Sequence, residues 1–280
     1  MSAVAALQMN SGDDVAANLA VANRLVEAAA GAGAVLAALP ENFAFMGAHE
    51  SAKLAHAEPQ GNGPIQDFLA ECARRHHIWI VAGTLPMAVP GDPQRVYAAS
   101  LVYDDTGRCV ARYDKIHLFD VEVEREGRTE RYHESRHIAP GAWNPVVVET
   151  PAGRLGLTVC YDLRFPELFR VLVEQGAELL CVPAAFTART GEAHWELLLR
   201  ARAVENLSYV IAPGQYGTHP GGRSTWGHSM VVDPWGAVLT CEASAETAVV
   251  ARVDRERLAQ LRASFPALSH RRNPASGAAS

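Results

Sequence analysis

The 280-residue sequence predicts an α/β fold, a four-layer α-β-β-α sandwich with two sheets stacked face to face and helices outside. Short apolar runs alternate with amphipathic segments along the chain. The order strand, helix, strand, hairpin in the first half returns in the second without obvious sequence identity, as expected of two related sheets. Each helical segment has one apolar face, so burial is simplest sheet against sheet. A doubly wound single sheet is the alternative arrangement.

In order, Asp13 and Asp14 precede apolar residues at Val15, Leu19, Ala22 and Val26, with Gly31 and Gly33 beyond, the pattern of a capped amphipathic helix. A short buried strand follows over 34–39. Ile65, Phe68, Leu69 and Cys72 mark a second helix, leading into strands over 78–85 and 96–103, a turn at Asp104-Asp105-Thr106-Gly107, and a strand over 109–113. In the second half a strand over 179–182, a helix over 192–205 and strands over 209–212 and 228–232 precede a turn at Asp233-Pro234-Trp235-Gly236 and a strand over 237–240. Gly217 to Gly222 and the tail 273–280 read as mobile, and no linker divides residues 1–272, which are expected to form one domain.

Composition narrows the function. A formal net charge of -6 with no long basic block gives nucleic-acid binding and polybasic membrane attachment little support, leaving small-molecule chemistry. Met1 to Gln8 is too short for a secretory apolar core, and no stretch reaches the roughly 20 apolar residues of a membrane span, so the expected location is cytoplasmic. The odd set Cys72, Cys109, Cys160, Cys181 and Cys241 has no C-x-x-C pair, arguing against a disulfide framework and a structural zinc site. Four are expected to be small buried hydrophobes, Cys72 on a helix and Cys109, Cys181 and Cys241 within strands. Cys160 alone ends an apolar run beside polar residues, just before a helix that starts at Pro166.

Two other apolar runs end the same way, one at Pro40-Glu41-Asn42 and one at Asp114-Lys115-Ile116-His117. A Glu, a Lys and a Cys thus sit at the mouths of three strands. A free thiol, with a pKa near about 8.5, needs a base or a positive environment to act as a nucleophile. Glu41 is suited to be that base, its pKa raised by desolvation among Leu39, Phe43 and Phe45. An oxyanion formed from an amide needs fixed donors, which Lys115 and the backbone N–H of Tyr161 are placed to supply. Of 25 basic residues only Lys53 and Lys115 are lysines, so a compact ammonium at this position is itself informative. Taken singly, Glu41 also reads as a loop carboxylate, Lys115 as a solvated strand end and Cys160 as a buried thiol.

Taken together, Leu39-Pro40-Glu41-Asn42-Phe43, Tyr113 to Asp120 and Thr158 to Glu167 resemble the three catalytic blocks of the nitrilase superfamily, the carbon-nitrogen hydrolases. The resemblance implies a sandwich of the nitrilase type that pairs with a second copy, as a homodimer or higher homo-oligomer. It implies Glu41 as general base, Lys115 stabilising the tetrahedral intermediate, Cys160 as nucleophile and Glu134 as an additional acid orienting Lys115. It also implies an amidase that cleaves a small-molecule amide bearing a carboxylate through a thioester, with no metal and no organic cofactor. Ala193 to Glu205 and Trp226 to Gly236 resemble the branch acting on deaminated glutathione and 2-oxoglutaramate, and Leu268 to Arg272 lies closer to the former.

Tyr161, Arg164, Phe165 and Thr187 are substrate-binding candidates by their nearness to Cys160 or to the strand ending at Val182. Val121 to Tyr132 departs from the family pattern, being longer and more charged. It reads as a solvated surface loop or as a source of carboxylate contacts through Arg125, Arg128 or Arg131. Other motifs fail. Gly222-Arg223-Ser224-Thr225-Trp226-Gly227 is one residue too long for G-x-S-x-G, and His49-Glu50-Ser51-Ala52-Lys53 lacks the second His of a zinc protease. His117, His194 and His228 are expected to satisfy hydrogen bonds. A non-catalytic binding homologue and an acyl-transfer enzyme remain competing readings, the first opposed by the intact Glu41, Lys115 and Cys160.

Overall fold

The computed structural model describes residues 1–125 and 128–272, with backbone alone for 123–125 and 128–130. The tail 273–280, expected to be disordered, lies outside the described residues. Two large sheets form the centre. The first runs, in spatial order, Thr247–Val253, Ser2–Gln8, Ala34–Ala38, Trp79–Val81, Asp92–Tyr103 and Leu85–Val89, with Cys109–Asp114 also paired to Asp92–Tyr103. The second runs Val238–Glu242, Ser229–Val232, Tyr209–Ala212, Leu179–Cys181, Gly153–Leu157 and Val147–Thr150.

Helices α1 (Val15–Gly31) and α2 (Pro64–His76) cover the outer face of the first sheet; α3 (Pro166–Glu174) and α4 (Ala188–Asn206) cover that of the second. Strand periodicity sets this layering. On Ser2–Gln8, Val4 and Ala6 join the cluster containing Leu155, Leu157 and Val210 of the other sheet, while Ala5 and Leu7 pack with Leu25, Val26 and Leu69 of α1 and α2. The first cluster continues through the second sheet to Phe169 and Leu172 of α3 and Trp195 and Leu199 of α4. The four-layer expectation holds, and the doubly wound alternative does not. Full burial of each such aliphatic side chain contributes about 1.5–3 kcal/mol before entropy is charged against it.

Several elements depart from the sequence reading. The single strand expected over 78–85 is two, Trp79–Val81 and Leu85–Val89. The break falls at Gly83, whose φ is +52° and where a Cβ would lie 1.9 Å from the carbonyl oxygen of Pro40. Only glycine lets this backbone pass beside the loop that carries Glu41. Ser2–Gln8 is an interior strand held antiparallel to Thr247–Val253 and parallel to Ala34–Ala38. The charged stretch read as a loop is an antiparallel hairpin, Asp120–Arg125 with Arg128–His133. Cys72 and Cys181 are buried as expected, but Cys109 and Cys241 are exposed because the strands bearing them lie at sheet margins, each open on a face. Among the described residues no helix is long and apolar enough to cross a membrane.

Candidate active site

Three strand ends of the two sheets converge on one pocket. Glu41 follows Ala34–Ala38 in a turn where Asn42 takes a left-handed φ of 59°. The Asn42 N–H donates to Thr84 Oγ1 at 2.9 Å, and Gln215 Nε2 donates to the Glu41 carbonyl at 3.1 Å. Lys115 follows Cys109–Asp114; its N–H donates to the Ala98 carbonyl and its own carbonyl accepts from Gly141 N. Cys160 lies just beyond Gly153–Leu157, with its N–H bonded to the Pro183 carbonyl and a left-handed φ of 46°. A cysteine in that region stores strain, held here by the surrounding turn.

Charges meet where the strands end. Lys115 Nζ donates to Glu41 Oε1 at 2.8 Å and to both Glu134 oxygens, at 2.8 and 2.9 Å. The second Glu41 oxygen accepts from Ala185 N at 2.8 Å, and Glu134 Oε2 from Phe119 N at 2.7 Å. Both carboxylates are therefore oriented as well as paired. The Cys160 thiol adjoins this cluster and interacts with the Glu41 carboxylate. Lys115 is 2% exposed, which makes its interactions those of a low-dielectric interior.

Burial pushes Glu41 upward, but the adjoining Lys115 ammonium outweighs it and holds the carboxyl below its ordinary range. The expectation of a net rise is thus reversed: the desolvation it rested on is present, and the Lys115 ammonium, 2.8 Å from Glu41 Oε1, outweighs it. Burial pulls Lys115 down, and Glu134 and Glu41 more than reverse it, so the ammonium stays charged. Cys160 is pushed up by burial and then by Glu41, with Lys115 opposing. The resting site holds a thiol beside a carboxylate.

Among the other candidates, Tyr161 and Thr187 line the pocket. Arg164 and Phe165 do not: the Arg164 guanidinium lies over the Tyr161 and Phe186 rings, and Phe165 stacks on His117 at 3.8 Å and meets Tyr161 edge-on. Arg131 reaches the lining from the hairpin; the side chains of Arg125 and Arg128 lie outside the described residues. His117 bonds Asp162, His194 meets Arg164, and His228 bonds the Trp226 carbonyl.

Sequence reasoning missed Asp162, Glu50, Lys53 and Arg223. Asp162 is fully buried and accepts from Tyr113 Oη, His117 N, His117 Nδ1 and Val159 N. Its signal was its place two residues after the thiol. Glu50, Lys53 and Arg223 line the pocket as one hydrogen-bonded cluster, and all three sat in stretches that failed as catalytic motifs.

The carbon-nitrogen hydrolase family matches residues 3–263 of this chain. The chain is 44% identical over 269 residues to the deaminated glutathione amidase of Yersinia enterocolitica, covering 96% of this chain and 92% of that one. Among solved structures it is similar to the C. elegans NitFhit protein, with a TM-score of 0.88 and 39% identity over 97% of this chain and 65% of that longer one. It is also similar to Saccharomyces cerevisiae Nit3, a member of branch 10 of the nitrilase superfamily, with a TM-score of 0.84 and 30% identity over 95% and 94% of the two chains.

Proposed function

From the premise that the chain belongs to the carbon-nitrogen hydrolase family and is a cysteine-dependent amidase, we propose that it hydrolyses deaminated glutathione to 2-oxoglutarate and cysteinylglycine. The similarity to amidases of that name over nearly the whole chain is what carries the substrate.

In the proposed cycle Glu41 takes the proton of Cys160 as sulfur attacks the amide carbonyl. Lys115, fixed by Glu134 and Glu41, and the Tyr161 N–H stabilise the oxyanion. Glu41 returns the proton to the departing amine, then draws one from the water that opens the thioester, and the thiol is restored. What supports these roles is that Glu41 touches both Lys115 and Cys160, so proton and developing charge are handled at one point. Within this reading Tyr161 and Thr187 contact substrate, while Arg164 and Phe165 back the Tyr161 ring. The setting is the cytoplasm, in keeping with five free cysteines.

The enzyme works as a homodimer in this reading. Leu197 and Val204, seven residues apart on one face of α4, are 67% and 47% exposed, an apolar stripe fit to be covered by a second copy. Sedimentation of wild type and Leu197→Glu tests it: a dimer that the substitution dissociates is expected, and a wild-type monomer at micromolar concentration refutes it.

The function itself is tested by turnover of deaminated glutathione beside 2-oxoglutaramate, following 2-oxoglutarate, with Cys160→Ala as control. Higher kcat/KM on the former is expected. Preference for 2-oxoglutaramate would make it an omega-amidase, contradicting the proposal.

A further inference from the structure

The charges lining the pocket fall into two hydrogen-bonded clusters of opposite net sign. In one, Lys115 is bracketed by Glu41 and Glu134, two carboxylates on one ammonium. In the other, Lys53 Nζ donates to Glu50 Oε2 at 2.7 Å and Arg223 Nη1 donates to Glu50 Oε1 at 2.8 Å, two cations on one carboxylate. Burial of a surplus cation is costly unless an anion joins it. Lys53 is almost wholly enclosed, its side chain 10% exposed, and Arg223 is 25% exposed.

The hydrogen bonds of Arg223 leave room for that anion. One N–H meets Glu50; Nη2 reaches the Ala185 carbonyl only at 3.4 Å; Nε is buried without a partner among the described residues. A guanidinium offers its donors as a planar fork that fits a carboxylate. The remaining lining cation, Arg131, is 65% exposed and already paired with Glu122. Arg223 also lies close to the reacting centre, because the same Ala185 whose carbonyl it approaches donates its N–H to Glu41.

We propose that Arg223, with Lys53 and Glu50 bracing it, is the specificity-determining cation that binds the carboxylate of the substrate's acyl group. The acyl side is assigned because that half stays covalently held through both steps, whereas the amine must leave before water enters; an enclosed cation serves the half that stays. The inference rests on the proposed amidase reading and extends it to the orientation of substrate.

The test measures kcat/KM of wild type, Arg223→Lys and Arg223→Gln on two amide pairs. One is deaminated glutathione against its analogue with a methyl group in place of the acyl carboxylate. The other is 2-oxoglutaramate against 4-oxopentanamide, in which no leaving-group carboxylate exists. The ratio within each pair cancels any loss of folded enzyme. Wild type is expected to prefer the carboxylate member of both pairs, and Arg223→Gln to reduce that preference at least about tenfold, with Arg223→Lys between. An unchanged ratio in Arg223→Gln, or a ratio that changes only in the first pair, whose members both carry the leaving-group carboxylate, overturns the assignment. If wild type turns over 2-oxoglutaramate but not deaminated glutathione, the substrate proposal fails while the second pair still decides the role of Arg223.

Discussion

The hydroxyl of Tyr113 donates to Asp162 Oδ2 at 2.6 Å, tying the strand that delivers Lys115 to the turn that delivers Cys160. The same carboxylate accepts from His117 on the other side of Lys115 and from Val159 beside Cys160. Asp162→Ala strands these buried donors, and a loss of about 2–5 kcal/mol in urea unfolding is expected. Its kcat/KM is expected to fall by at least about 100-fold, because a misplacement of about 1 Å is enough to cost that much. Asp162→Asn, which keeps shape and one acceptor oxygen, is expected to lose less on both measures.

Lys115→Met removes the charge that outweighs burial at Glu41, so the Glu41 pKa rises. Since Glu41 must be ionised to act as base, the acid limb of the residual pH profile of kcat/KM is expected to move to higher pH. The plateau is expected to fall about 10²- to 10³-fold with the loss of an oxyanion partner. An acid limb left in place shows that another group titrates there.

Glu41→Gln is expected to do the opposite to the thiol. The Glu41 charge is, after burial, the main influence pushing Cys160 up, and Lys115 still pulls it down once that charge is gone. Thiolate ultraviolet absorbance should therefore appear at lower pH in Glu41→Gln than in wild type, although the variant lacks the base for turnover. A midpoint that stays or rises contradicts this electrostatic picture.

Glu50 is held at about 2 by Lys53, against burial, with Arg223 adding to the effect. A carboxyl lowered in the folded state stabilises above its ordinary range and loses that contribution as pH falls toward its folded value. Denaturant titrations between pH 4.5 and about 2 should show wild type losing stability more steeply than Glu50→Gln. Parallel slopes contradict the pairing.

The strand and helix order was legible because alternating faces leave a periodic trace, as in α1 with its Asp14 cap and Val15 to Val26 stripe. Glu41, Lys115 and Cys160 were legible because each ends an apolar run. What the sequence hid depends on contacts distant along the chain. Ser2–Gln8 shows no polar alternation because it is buried on both sides, so it reads as an unassigned apolar run. The sign of the Glu41 shift follows from a lysine 74 positions away. Arg223 and Glu50, separated by 173 positions, become neighbours only when the chain closes around the pocket.

The central claim is that carbon transfers to sulfur at Cys160 before water enters. Rapid acid quench of wild type turning over deaminated glutathione, followed by intact and peptide mass analysis, tests it most directly. A 2-oxoglutaryl thioester on the peptide bearing Cys160, formed and consumed in step with product release and missing in Cys160→Ala, is the predicted result. Turnover that continues in Cys160→Ala with no acylated peptide would contradict the account.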